Sequence, residues 1–426
     1  MLNVVKQLCS TIELPNMIRI KQKFNPQHIE ASAIPASIIT EMSKPSVAAA
    51  IKPNQRVAIT CGSRGLANHA LITKSIVDYV KTKNAKPIVI PAMGSHGGAT
   101  AEGQKELLAR YGITESYLGC PIESSMETVE IGVSEEGHHV RLDKNAAESD
   151  AIIVAHRVKP HTDFRAPYES GLMKMMAIGL GKREGAAVCH QGGNGKMARM
   201  IPLFGKTILR NAPVAMGLAI IENAYHETCR FEALTPQEII EKEPALLEYA
   251  KSRMAKILID SCDVLVVDQI GKEISGDGMD PNITGASSVT PYITGGLKAQ
   301  RTVILSLTKE THGSAVGTGL SHAITRRLFN EIDFDATYVN SLTARSVDIL
   351  KIPAILDTDK EAIQFAVLSA ADVDLNNPRI IRILDTMHIE KIFISEAMRS
   401  EAEKNSDVEI LGSAAPFSFN NEGNLF

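Results

Sequence analysis

No CxxC pair occurs among the six cysteines, which stand at positions 9, 61, 120, 189, 229 and 262. Thiols scattered in this way exclude a disulfide framework or a zinc ribbon and fit a reducing compartment. No apolar run reaches the roughly 20 residues that a bilayer span needs. The opening "MLNVVKQLCSTIELPN" has neither the basic start nor the unbroken apolar core of a secretion signal. Excess charge is missing as well. Forty-five basic side chains face 49 acidic ones, a formal net charge of −4 with the signs interspersed. That balance argues against nucleic acid or a membrane surface as partner. Internal repeats and low-complexity segments are absent too. The expectation is a cytoplasmic globular enzyme or binding protein, with oligomeric state left open.

What is present is an alternation of strand and helix signals. The chain has 426 residues, 44% of them hydrophobic, enough for two domains with sizeable cores. "RVAIT" (56–60), a helix over 68–83 and "KPIVIPAM" (86–93) make a β-α-β unit. "DAIIVAHRV" (150–158) is a further buried strand, and "METVEIGV" with "HHVRL" reads as a β-pair. "PVAMGLAIIENA" and "ETCRFEAL" add two strands, and a helical charged stretch (235–259) leads into a second domain. That domain holds the strands "DVLVVDQIG" and "RTVILSL", a helix at "SHAITRRLFNEI" and a strand at "IEKIFISE". The predicted class is α/β, with mostly parallel sheets in two domains, 1–258 and 259–426, and an active site in the cleft between them.

Several buried strands run straight into Gly-rich polar loops, where open parallel sheets bind ligands. "CGSRG" (61–65) offers the Ser63 hydroxyl and the Arg64 guanidinium, both suited to a phosphate. "GSHGGAT" (94–100) places His96 among small residues, ahead of a helix start after Thr100. "KPHTD" holds His161. "SGLMKMMAIGLGK" reads as a helix capped near Ser170, with Lys174 flanked by methionines. An amine in apolar surroundings attacks carbonyl-type carbons, although a snorkelling core lysine would look the same. Cys189-His190 adds a thiol and an imidazole, the latter suited to nickel, copper, zinc or iron. "GLGK" (179–182) lacks the spacing of a phosphate-binding P-loop, and "GDGMDP" that of a calcium loop. His138-His139 reads as a solvated hairpin turn.

These loops, followed by Ser-Gly-x-x-Lys and a histidine 16 residues after the lysine (174 to 190), resemble the nickel-dependent lactate racemase family. The resemblance implies a nickel-pincer nucleotide (pyridinium-3,5-bisthiocarboxylic acid mononucleotide) tethered to Lys174. It implies His190 as the nickel ligand, His96 and His161 as the acid/base pair, and Ser63 and Arg64 beside the cofactor phosphate. The implied reaction is racemisation or epimerisation of a 2-hydroxy acid by hydride transfer to and from the cofactor. The partners would be that small substrate and separate cofactor-maturation enzymes, without which a preparation carries no cofactor. "FRAPYE" lengthens the family's spacing before the lysine, and "GKEISGDGMDPNITG", with Lys272 and Asn282, stands where the family binds the substrate carboxylate. The substrate expected is therefore not lactate itself. Two other readings use the same loops: a cofactor-free lyase or dehydratase acting on a sugar acid, and a small-anion-binding protein.

Overall fold

The computed structural model describes residues 3–63, 65–287, 295–344 and 346–426. It divides into two units, Asn25–Met254 and a second made of Met1–Phe24 with Ala255–Phe426. Both are α/β.

The unit Asn25–Met254 is built on a five-stranded sheet. Its order is Lys86–Pro91, Arg56–Cys61, Ala151–Arg157, Val214–Glu222, Thr228–Leu234. The first four strands run parallel and the last antiparallel. Continuous apolar runs form these strands because both faces are covered. The period of two then divides each strand between two cores. Ala58, Ile88, Ile90, Ile152 and Val154 enter one. Val57, Ile59, Val89, Ile153 and Ala155 enter the other. The chain leaves Arg56–Cys61 toward one neighbour and later returns on its other side as Ala151–Arg157. Strand order therefore reverses between these two, and loops diverge there to leave room for a ligand. The loops after them carry Ser63 and His161. The expected hairpin pairs Thr128–Val133 with His139–Asp143.

The helix Pro236–Arg253 packs into this unit rather than spanning a gap. Ile239, Leu246, Leu247 and Ala250 lie in the same core as Ile152 and Val154. A capping box from Thr235 and Glu238 fixes its start.

The second unit has an eight-stranded mixed sheet. Its order is Ala354–Leu356, Ala323–Thr325, Lys298–Leu307, Ser261–Ile270, Ile380–Ile383, Lys391–Ser395, Met17–Gln22, Val408–Ile410. The N-terminal strand Met17–Gln22 is antiparallel to both neighbours, which explains why the first residues belong here. One expected element differs. "SHAITRRLFNEI" is a short strand, Ala323–Thr325, followed by a helix, Arg326–Asn330. Ala323, Ile324 and Thr325 are all buried in a parallel ladder, and the Thr325 hydroxyl caps the helix after it. Burial in the sheet outweighed the helical pattern of the flanks. No helix among the described residues is long and apolar enough to cross a membrane.

Candidate functional site

Lys174 ends a single α-turn, Leu172–Lys174, which continues as a π-helical segment, Met175–Leu180. Such π segments are rare and frequent at functional sites. Glycine makes this one possible. A Cβ on Gly179 would lie 2.5 Å from Met175 Sδ and 2.7 Å from Ala92 O. The expected cap, Ser170, does not cap the turn: its backbone pairs with Lys159. The turn is closed instead by Glu243 of the distant helix Pro236–Arg253, whose Oε2 accepts from Met173 N–H at 3.0 Å. Gly171 admits that carboxylate, since a Cβ there would stand 2.0 Å from Glu243 Oε1.

Burial pushes the Glu243 carboxyl up from 4.5 to about 8, against the bonds it accepts from the backbone. Between those two values the folded protein keeps a proton that the unfolded chain has released. Stability is therefore highest below 4.5 and falls as pH climbs toward about 8. Glu243→Gln keeps an acceptor for Met173 and does not titrate. It is expected to flatten this decline in thermal unfolding runs across the same range.

His161 is set in its loop by Glu169, itself fully buried. Glu169 Oε2 accepts from His161 N–H at 2.7 Å and its Oε1 pairs with Lys251 at 3.0 Å. Phe164 stacks on the imidazole, 4.4 Å between centroids. Asp163 N–H donates to His161 Nδ1 at 3.0 Å. A backbone amide can only donate, so Nδ1 holds the lone pair and the proton of the neutral ring is on Nε2. Burial first, then the neighbouring Lys174, Lys159, His190 and Arg165, hold His161 well below its ordinary value, so the ring is neutral at pH 7. Its Nε2 is hydrogen-bonded to Lys174 Nζ. Lys174 Nζ thus meets His161 between the buried side chains of Met173 and Met175.

His190 closes the helix Lys182–Cys189. Its Nδ1 lies 2.7 Å from Ala186 O. A carbonyl can only accept, so Nδ1 carries the hydrogen and the lone pair is on Nε2, the arrangement a metal-binding histidine uses. Cys189 is different. It is fully buried, and burial drives its thiol up to about 12. It is core. Among the described residues no group of three or more His, Cys, Asp or Glu could hold a metal ion.

His96 sits on the loop after Lys86–Pro91. Ser63 Oγ is 2.5 Å from its Nδ1, so these two loops meet side chain to side chain. Tyr111 Oη donates to Ser63 O at 3.1 Å. The loop beyond Ser63 is anchored where Ala67 N–H donates to Glu222, which also pairs with Arg157. Arg64 lies outside the described residues. Gly94, at φ +57, donates its N–H to Gly179 O at 3.2 Å and so ties the His96 loop to the segment after Lys174. A Cβ on Gly62 would touch both Met175 Cε and the His156 ring at 3.2 Å. The loops of Ser63, His96 and His161 therefore gather around the Lys174 segment. Thr100 takes the Gly103 N–H at 3.0 Å, so that helix start already has a side-chain acceptor. In the second unit Lys272 N–H donates to Thr311 Oγ1 and the Asn282 side chain to Asp280.

Sequence reasoning did not single out Glu169, Glu243, Gln104 or Lys182, which shape this site from beneath. Their signal is tertiary: buried charge or amide opposite a distant loop. Residues 8–198 match the model of the lactate racemase N-terminal domain. Over that span the chain is similar to a lactate racemase N-terminal domain. The candidates from Ser63 to His190 fall within it, whereas Lys272 and Asn282 lie beyond it. The fold agrees over nearly the whole chain. The structure of the lactate racemase apoprotein from Thermoanaerobacterium thermosaccharolyticum superposes with a TM-score of 0.51 at 15% identity, covering 92% of this chain and 97% of that one. No curated protein sequence matches the chain.

Proposed function

We propose that this lactate racemase-like protein racemises or epimerises a 2-hydroxy acid other than lactate, using a nickel-pincer nucleotide attached to Lys174. The observation that carries the reading is Lys174 Nζ, hydrogen-bonded to His161 Nε2 at the start of an apolar helical segment. An amine so placed is the side chain to form a lasting bond to an activated carboxyl carbon. The residues fit the group. Lys174 Nζ would tether it, and His190 Nε2 offers the one imidazole lone pair its metal requires. Ser63 belongs to the loop at the strand-order reversal, where a nucleotide phosphate would sit, and Arg64 follows it in the sequence. When bound, the cofactor supplies the hydride acceptor that no side chain provides.

The side chains handle the proton. As a hydride leaves the carbinol carbon, the hydroxyl proton must go to a base, and on return from either face a proton must come back. His161, neutral at pH 7, serves one face. His96, with Nδ1 turned to Ser63, serves the other through Nε2. The location in this reading is the cytoplasm, where cofactor-making enzymes would load the protein.

The test is intact-mass and nickel analysis of protein co-expressed with those enzymes. A nucleotide-sized adduct on Lys174 with stoichiometric nickel is expected. His190→Ala should keep the adduct and lose the nickel. An unmodified Lys174 without nickel under these conditions would shift the reading to a sugar-acid lyase or dehydratase, or to anion binding.

A further inference from the structure

We propose that a buried network of Lys182, Asp143 and Gln104 is a positioning device that sets the His96 loop and joins it to the helix ending at His190. All three side chains are fully buried. Lys182 is the first residue of the helix Lys182–Cys189, and its backbone is left-handed at φ +51, a conformation a lysine seldom adopts. An unusual backbone held by the surrounding structure is a reason to look for a function.

The ammonium has three polar neighbours. Lys182 Nζ donates to Pro91 O and to Gln104 Oε1 at 3.1 Å, and it faces Asp143 Oδ2 at 3.2 Å as an ion pair rather than an aligned hydrogen bond. Two of its protons are hydrogen-bonded and the carboxylate balances its charge. Asp143 Oδ1 is committed elsewhere, accepting Ala146 N–H at 2.9 Å. Burial raises the Asp143 carboxyl and lowers the Lys182 ammonium, and their mutual attraction opposes both.

The consequence passes through the amide. With Oε1 turned to the ammonium, the Gln104 NH₂ points the other way. It donates to Gly94 O at 3.0 Å and to His96 O at 3.2 Å. Lys182 therefore decides which end of Gln104 meets the loop, and Gln104 holds the backbone of His96 on both sides of Ser95. The same lysine opens the helix whose last turn presents His190. One buried node thus fixes two histidines that sequence spacing leaves far apart. A well-packed core pair would show the same burial, but it would not need two amide donors aimed at one loop.

Gln104→Glu separates the two roles. It keeps an acceptor for Lys182 and adds an attractive charge, so the core pair is retained. It removes both donors to the loop and sets a carboxylate against two carbonyls. The measurement is the ¹⁵N spectrum of the His96 ring in the cofactor-free chain, beside the melting temperature. A changed ratio of Nδ1–H to Nε2–H forms, with the fold retained, is expected. In loaded enzyme kcat should fall by about 10- to 100-fold with KM nearly unchanged, as for a displaced catalytic group. Only this rate effect rests on the racemase reading; the ring spectrum does not. If Gln104→Glu fails to fold, the neutralised pair Lys182→Met with Asp143→Asn lets the amide turn and should give the same change. A His96 spectrum identical to wild type in whichever variant folds would overturn the proposal.

Discussion

Lys174→Ala, co-expressed with the cofactor-making enzymes, is expected to be recovered at its unmodified mass, without bound nickel and without racemase activity. The loss should be on the order of 10⁴-fold or more, since no remaining side chain can accept a hydride. The variant removes the nucleophile, yet it leaves the turn intact, because the Glu243 cap acts on the backbone of Met173 and alanine favours helix. Melting temperature should therefore hold while chemistry disappears. Lys174→Arg is the sharper control. It retains length and positive charge, but a guanidinium does not deprotonate and cannot make the bond. The pairing with His161 is also lost, because arginine only donates and His161 Nε2 already carries the proton. Nickel bound at the wild-type level in either variant would sink the tether.

Much of this arrangement can be read from local sequence, because local forces produce it. The apolar runs 56–60 and 263–270 lie in strands buried on both faces. Lys174 stands out because methionines flank it. The parts that could not be read are those created by distance. Met17–Gln22 becomes a strand only by lying between Lys391–Ser395 and Val408–Ile410. The Lys174 turn gains its cap from Glu243, 69 positions beyond Lys174 in the numbering. Its π geometry depends on how Gly179 meets Ala92. Lys182 looks like part of a failed phosphate motif, "GLGK", until Asp143 and Gln104 are seen around it. Ser63 looks like a phosphate ligand, and the fold also sets it on His96. Cys189 beside His190 suggests a second metal donor by adjacency, but successive helical residues point in different directions, and Cys189 points into the core.

His161→Asn is expected to produce two separable defects, whereas His96→Asn should produce one. His161 touches the Lys174 amine and is also the proposed acid/base group on one face of the substrate. Its replacement should slow attachment of the cofactor, seen as a smaller fraction of chain carrying the adduct. Turnover per adduct-bearing chain should also fall, by about 10²- to 10⁴-fold, the usual worth of a positioned proton carrier. His96 has its ring on Ser63 instead, so His96→Asn should load normally and lose rate alone. Because a racemase must serve both enantiomers through both histidines, each variant should slow the two directions together and leave the final mixture unchanged. Mass spectrometry of the adduct, combined with polarimetry from each enantiomer, reads all three quantities. Full loading and wild-type turnover in His161→Asn would remove His161 from the chemistry. Its neutral ring would then follow from burial under Phe164 and the neighbouring cations alone.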